Sequence, residues 1–150
     1  MQLFNQIRPR DINLEIAISN REQKTADYYV FDETAFNSLS FAKAADIKGK
    51  AGSILKDNCE VQVAGLNQVL EEHQDKFQSI DFLNIDTELH EMEVLLSLDL
   101  NRYRPKFILV EVKDRNMNNI DDDGIYNYLY DFKYRISSKL FNTAIFEDSK

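Results

Sequence analysis

Residues 80–100 constrain the fold more than any other stretch, because the hydrophobic period changes partway along them. Ile80, Phe82, Leu83 and Ile85 are too dense for a half-exposed strand and too few for an ordinary helix, which predicts a short strand covered on both faces. From Met92 the spacing becomes three and four residues, through Leu95 and Leu96 with Val94 and Leu98 beside them, the pattern of a helix with one apolar stripe. Asp86, Glu88, His90 and Glu91 lie between the two elements. A strand-to-helix turn this rich in ionisable groups belongs at the carboxyl end of a sheet strand, where open α/β sheets bind their ligands.

The flanking sequence extends this unit. Arg104 and Pro105 break the chain, and residues 107–112 form a second dense apolar run, read as another buried parallel strand. Strand, helix and strand in that order make a βαβ unit with a right-handed crossover. Ile125, Tyr128, Leu129 and Phe132 then fall on one helical stripe, with a cap expected from one of Asp121, Asp122 and Asp123. Residues 134–140 and 142–147 predict two strands joined tightly enough to pair antiparallel.

Upstream, Leu14, Ile16 and Ile18 alternate with Glu15, Ala17 and Ser19, a period of two that predicts a strand over residues 13–19. Residues 26–31 have a Tyr-rich strand character, and residues 32–56, with Gly49 and Gly52 and no sustained period, read as a long, partly helical connection. Val61 and Val63 mark a short strand at 59–63, followed by a helix from Asn67 whose Leu66, Val69 and Leu70 face inward. His73, near the end of that helix, reads as a surface residue favoured by the helix dipole.

At 150 residues, with no repeat or linker, the chain is expected to form one domain. A net charge of -8 without any Lys/Arg cluster argues against nucleic acid, which requires a basic face, and favours a cationic or neutral ligand. Cys59 is the sole cysteine, so no internal disulfide can form, and the opening residues lack a basic segment followed by a long apolar one. These features predict a soluble, cytoplasmic protein with no membrane partner, since no apolar run is long enough to span a bilayer.

Two other chemical motifs compete with the acidic turn. Asn119, Asp121 and Asp123 before Gly124 imitate the start of an EF-hand loop, but Tyr130 occupies the position that needs a bidentate glutamate, so a solvated helix cap is the better reading. No glycine pattern for cradling phosphate exists. In the acidic turn, Asp86 ends one predicted strand, Glu111 lies within the next, and Ser19 and Asn20 end an earlier one, so parallel strands would bring them to one sheet edge. Carboxylates crowded there repel and raise a pKa, or share a cation. A divalent-metal site at Asp86 and Glu88 lacks a histidine pair or regular ligand spacing, and no metal is expected.

The run Ile85-Asp86-Thr87-Glu88, followed by Glu91, Val94 and Leu95, resembles the Ile-Asp-x-Glu-Gly-x-Glu-x-x-Val-Leu signature of FkbM-type S-adenosylmethionine-dependent methyltransferases. Residues 104–112 and the closing Leu129, Tyr134 and 143–146 are similar to the next family blocks, so the likeness covers about residues 12–148. It implies an α/β fold with a Rossmann-like class I methyltransferase sheet, mainly parallel with a C-terminal antiparallel hairpin. Residues 1–150 would be a single partial methyltransferase domain, incomplete at the N-terminus, because the family's first strand, glycine-rich cofactor turn and ribose-holding acid precede the matched part. The implied activity is methyl transfer from S-adenosylmethionine to a hydroxyl of a small molecule or sugar. By the same likeness Asp86 sits beside the methionine end of the cofactor, Glu88 and His90 beside the acceptor, and Ser19 and Asn20 near the adenine. Glu88 or His90 is then the candidate base, and Asp86 the cation holder.

Leu89 stands where the family has glycine, a position that favours positive φ or close backbone approach. The missing strands would leave the strand at 13–19 without neighbours, an unpaired edge open to a partner chain or to self-association. The alternative function is therefore a non-catalytic α/β module that pairs with a partner chain.

Overall fold

The computed structural model describes residues 2–39, 53–112 and 124–150. Among them are four helices, α1 (Gln2–Ile7), α2 (Leu66–Glu72), α3 (Glu91–Leu96) and α4 (Ile125–Asp131). The seven strands are β1 (Ala17–Ile18), β2 (Thr25–Phe31), β3 (Leu55–Ala64), β4 (Phe82–Ile85), β5 (Phe107–Glu111), β6 (Tyr134–Leu140) and β7 (Thr143–Asp148). They form a three-stranded sheet in the order β1-β3-β2 and a four-stranded sheet in the order β4-β5-β7-β6. The chain is a mixed α/β protein.

The β4-α3-β5 unit stands where the change of hydrophobic period placed it. β4 and β5 pair parallel, Ile85 opposite Val110, with α3 as the crossover. Successive strand residues point to opposite faces, so Ile108, Val110 and Val112 share one face, and all three are buried. They cluster with Val94 and Leu95 of α3, Ile125 and Leu129 of α4, and Ala144 and Phe146 of β7. The Tyr126 ring meets Phe146 edge-on at 5.3 Å. Side chains buried this completely contribute about 1.5–3 kcal/mol each, so this single face carries most of the fold's hydrophobic stabilisation. The three-stranded sheet is shallower: Phe31 is its one fully buried large side chain among the described residues, and β3 is largely exposed.

Several expectations are corrected. The strand at 82–85 is covered on one face only; Phe82 is 64% exposed while Ile85 is 2% exposed. Both α3 and α4 pack into the cluster on the Val110 face, so density of apolar residues overstated the coverage. The sheets are not mainly parallel: β1–β3 and β4–β5 are parallel, whereas β2–β3, β5–β7 and β6–β7 are antiparallel. The short turn between β6 and β7 forces those two strands to run oppositely, and β7 inserts beside β5. The strand expected over 13–19 is reduced to Ala17 and Ile18, and it does have a neighbour, Ala17 lying opposite Val63 of β3. β3 is longer than expected because pairing with β2 carries it back to Leu55, through polar residues that alternation does not flag.

Other expectations stand close to their predicted bounds. α2, α4, β2 and the β6–β7 hairpin appear as read, and His73 is the C-cap of α2, its Nδ1 2.9 Å from the Val69 carbonyl oxygen. Most of the 32–56 connection (residues 40–52), the EF-hand-like loop and the capping aspartates at 121–123 lie outside the described residues. The N-cap of α4 is Gly124, whose φ of +74° suits glycine and which offers no side-chain cap.

Candidate functional site

The parallel register decides what meets at the end of β4. Ile85 faces Val110, so the residues that follow, Asp86 and Glu111, emerge side by side at the carboxyl rim of the pair. Helix α3 begins there, and Glu91 in its first turn folds back onto the same corner. One carboxylate oxygen from each of Asp86, Glu91 and Glu111 lies within 4.8 Å of the others. Asp86 is exposed, Glu111 half-buried and Glu91 7% exposed.

Glu91 is held in place by the turn it closes. Its Oε1 accepts from the Thr87 amide at 2.9 Å and from the Thr87 hydroxyl at 3.2 Å. An acid in the first turn of a helix also faces the positive end of the helix dipole, which offsets part of the repulsion from its carboxylate neighbours. Between Thr87 and Glu91 the backbone turns through Glu88 (φ 56°) and Leu89 (φ 75°), both left-handed. Such conformations cost side-chain-bearing residues about 1–2 kcal/mol each. The Ser38 hydroxyl, fifty positions away in sequence, donates to the Glu88 carbonyl at 3.0 Å and braces the turn.

A cavity of about 720 Å³ opens beside the corner. Asp86, Thr87 and Glu88 line it, together with the apolar residues Ile16, Ile18, Val30, Val61 and Leu83. Of the three clustered acids only Asp86 also borders this cavity, so the corner adjoins it at one end.

The residues singled out from sequence separate in space. Asp86 and Glu88 both line the cavity. His90 is 2% exposed, does not line the cavity, and serves as the N-cap residue of α3. Its Nδ1 lies 3.7 Å from Glu93, and its Nε2 has no hydrogen-bond partner among the described residues. Burial pushes its pKa below the ordinary histidine value; Glu93 and Glu91 pull the other way, while Arg21 adds to the lowering. Ser19 is buried, its hydroxyl accepting from the Arg21 amide at 3.3 Å, and neither it nor Asn20 lines the cavity.

The sequence reading placed Glu111 at the correct edge without giving it a role, and it missed how Glu91 completes the trio. The available signal was position: Glu91 follows the turn as the first helical residue, where a side chain reaches back over the preceding strand end. Three convergent carboxylate oxygens can hold a positively charged group or a cation.

Fold and corner together define a mixed α/β protein with three acids gathered at the carboxyl rim of a parallel strand pair. The family model described as the methyltransferase FkbM domain matches residues 3–136, and the chain belongs to that family. No curated protein and no solved structure matches it. Among the described residues, no helix is long and apolar enough to cross a membrane.

Proposed function

We propose that the chain is an S-adenosylmethionine-dependent O-methyltransferase acting on a hydroxyl of a small molecule or sugar, with the carboxyl rim of β4 and β5 as its donor site. The observation that carries this reading is the convergence of Asp86, Glu91 and Glu111 in a chain of the FkbM family. The donor set suits the cofactor, whose sulfonium and ammonium groups are cationic and need no phosphate cradle. The parallel β4 and β5 joined through α3 support the reading, since open α/β sheets bind ligands at the carboxyl ends of such strands.

When bound, S-adenosylmethionine supplies a methyl group on positively charged sulfur. The chain's part is to hold that charge, orient the acceptor and accept its proton. Asp86, exposed at the corner, holds the cation with Glu111 beside it, while Glu91 fixes the corner through Thr87. Glu88, which lines the cavity, is our choice for the group that takes the hydroxyl proton. Positioning supplies most of the acceleration in such a transfer. His90 acts on the turn as a buried N-cap residue and leaves proton transfer to Glu88.

Calorimetry tests the reading. S-adenosylmethionine is expected to bind with micromolar affinity and more tightly than S-adenosylhomocysteine, which lacks the sulfonium charge; Asp86→Asn should weaken binding about tenfold or more and reduce that preference. Absence of heat at millimolar cofactor with folded protein, or an unchanged preference in Asp86→Asn, refutes it.

A further inference from the structure

Successive residues of a strand point to opposite faces, and on β2 the two faces meet different surroundings. Val30 lines the cavity beside the acid corner. Asp27, of the opposite parity, lines a second cavity of about 600 Å³, together with Glu60 of β3 and with Arg21, Gln23 and Lys24 of the segment that joins β1 to β2. The two cavities share Leu39 alone among their described lining residues, and none of the three clustered acids borders the second one.

The charges around this second cavity are uncompensated. Asp27 lies directly opposite Glu60 in the antiparallel register, an arrangement in which like charges destabilise a ladder. Arg21 and Lys24 stand three positions apart on a segment tied down at both ends: the Arg21 amide donates to the Ser19 hydroxyl at 3.3 Å, and the Lys24 carbonyl accepts from the Val63 amide at 2.8 Å. None of these four side chains forms an ion pair among the described residues. The chain has 26 acids against 18 lysines and arginines, so two cations left unpaired beside two acids in one cavity run against its composition. One molecule carrying both signs of charge would compensate all four.

We propose that this cavity binds a small zwitterion, its carboxylate or phosphate held by Arg21 and Lys24 and its ammonium held by Asp27 and Glu60. The planar guanidinium offers two parallel donors to such an oxyanion, and an ammonium has three donors to share between two carboxylates. The ligand also removes the cross-strand repulsion between Asp27 and Glu60. All four side chains are exposed, so each contact is weak and the expected dissociation constant is about 0.1–1 mM. The inference uses no residue of the donor corner and does not depend on the methyl-transfer reading.

The test uses the full chain and three zwitterionic probes, phosphoethanolamine, 3-aminopropanoate and 6-aminohexanoate, against their halves: inorganic phosphate, propanoate and ethylammonium. Titrations followed by amide nuclear magnetic resonance should show saturable shifts at Arg21, Lys24, Asp27 and Glu60. At least one zwitterion should bind at least about threefold more tightly than either of its halves; whether the phosphate or the carboxylate probe leads identifies the oxyanion. Arg21→Gln should weaken both the zwitterion and the anionic half about threefold or more. Asp27→Asn should weaken the zwitterion and spare the anionic half, and its melting temperature should be no lower than the parent's, since it relieves a like-charge pair. No saturable shift with any probe at ten millimolar, an anionic half that binds as tightly as every zwitterion, or shifts confined to Asp86, Glu91 and Glu111 overturns the inference.

Discussion

Leu89 holds a left-handed backbone conformation at φ 75° with a side chain 47% exposed, and replacing it separates backbone strain from side-chain packing. Removing the side chain to Ala forfeits the burial of about half a leucine, roughly 1 kcal/mol, and keeps the Cβ clash. Replacement by Gly forfeits the same burial but relieves about 1–2 kcal/mol of left-handed strain, offset by about 0.5–1 kcal/mol of extra chain entropy. Leu89→Gly should therefore be more stable than Leu89→Ala by about 0.5–1 kcal/mol, and close to the parent. In a chain of this size the gap is about 1–4 °C in melting temperature. Urea denaturation followed by circular dichroism, with equal slopes for the two variants, measures it. Glu93, inside α3, is the control: there Gly should be less stable than Ala by about 1 kcal/mol. If Ala at position 89 is as stable as Gly, or if both positions rank alike, the strain argument for the corner is wrong.

The other expectations concern pH, the C-terminus and a helix cap. His90 has a folded pKa below its unfolded value of 6.5, so the unfolded chain takes up more protons and stability should fall as pH drops below about 6.5. His90→Gln should flatten that slope, and an unchanged slope would remove His90 as its source. Arg104 binds the Asp148 carboxylate through two nitrogens and also donates to the Leu100 and Phe132 carbonyls, tying the chain's end to the core. Arg104→Ala should cost about 2–3 kcal/mol at neutral pH. Because Arg104 holds the Asp148 pKa below the usual 3.8, the deficit should shrink as acid protonates that carboxylate, and a pH-independent deficit would point to packing instead. The Ser97 hydroxyl accepts from the Leu66 amide at 3.0 Å where Gly65 has no side chain to cap α2, so Ser97→Ala should cost about 1 kcal/mol in urea melts; a loss below about 0.3 kcal/mol would mean that solvent serves that amide as well.

The acidic turn was legible because a dense apolar run before it gives way to three- and four-residue spacing after it. The partner strand was legible as a second dense run after Pro105, and with it the meeting of Asp86 and Glu111. Coverage was not: Phe82 and Ile85 look alike in sequence, and only the packing of α3 and α4 on one face of the sheet leaves one exposed and the other buried. Strand β3 was underestimated because Asp57 and Asn58 are held by pairing to β2, a long-range contact with no local signature. His90 misled the site reading because its pH range suits proton transfer, whereas its burial depends on helix geometry one residue further on.

The joint between α2 and α3 reaches beyond local stability. Ser97 donates to the Val94 carbonyl at the end of α3 and receives the Leu66 amide at the start of α2, while Asn67 takes the Asp99 amide and gives its own to Ser97. Through this four-way clasp, α3, which begins at the acid corner, is geared to α2, which continues directly from β3. A ligand that tilts α3 should therefore pull on α2 through these four bonds.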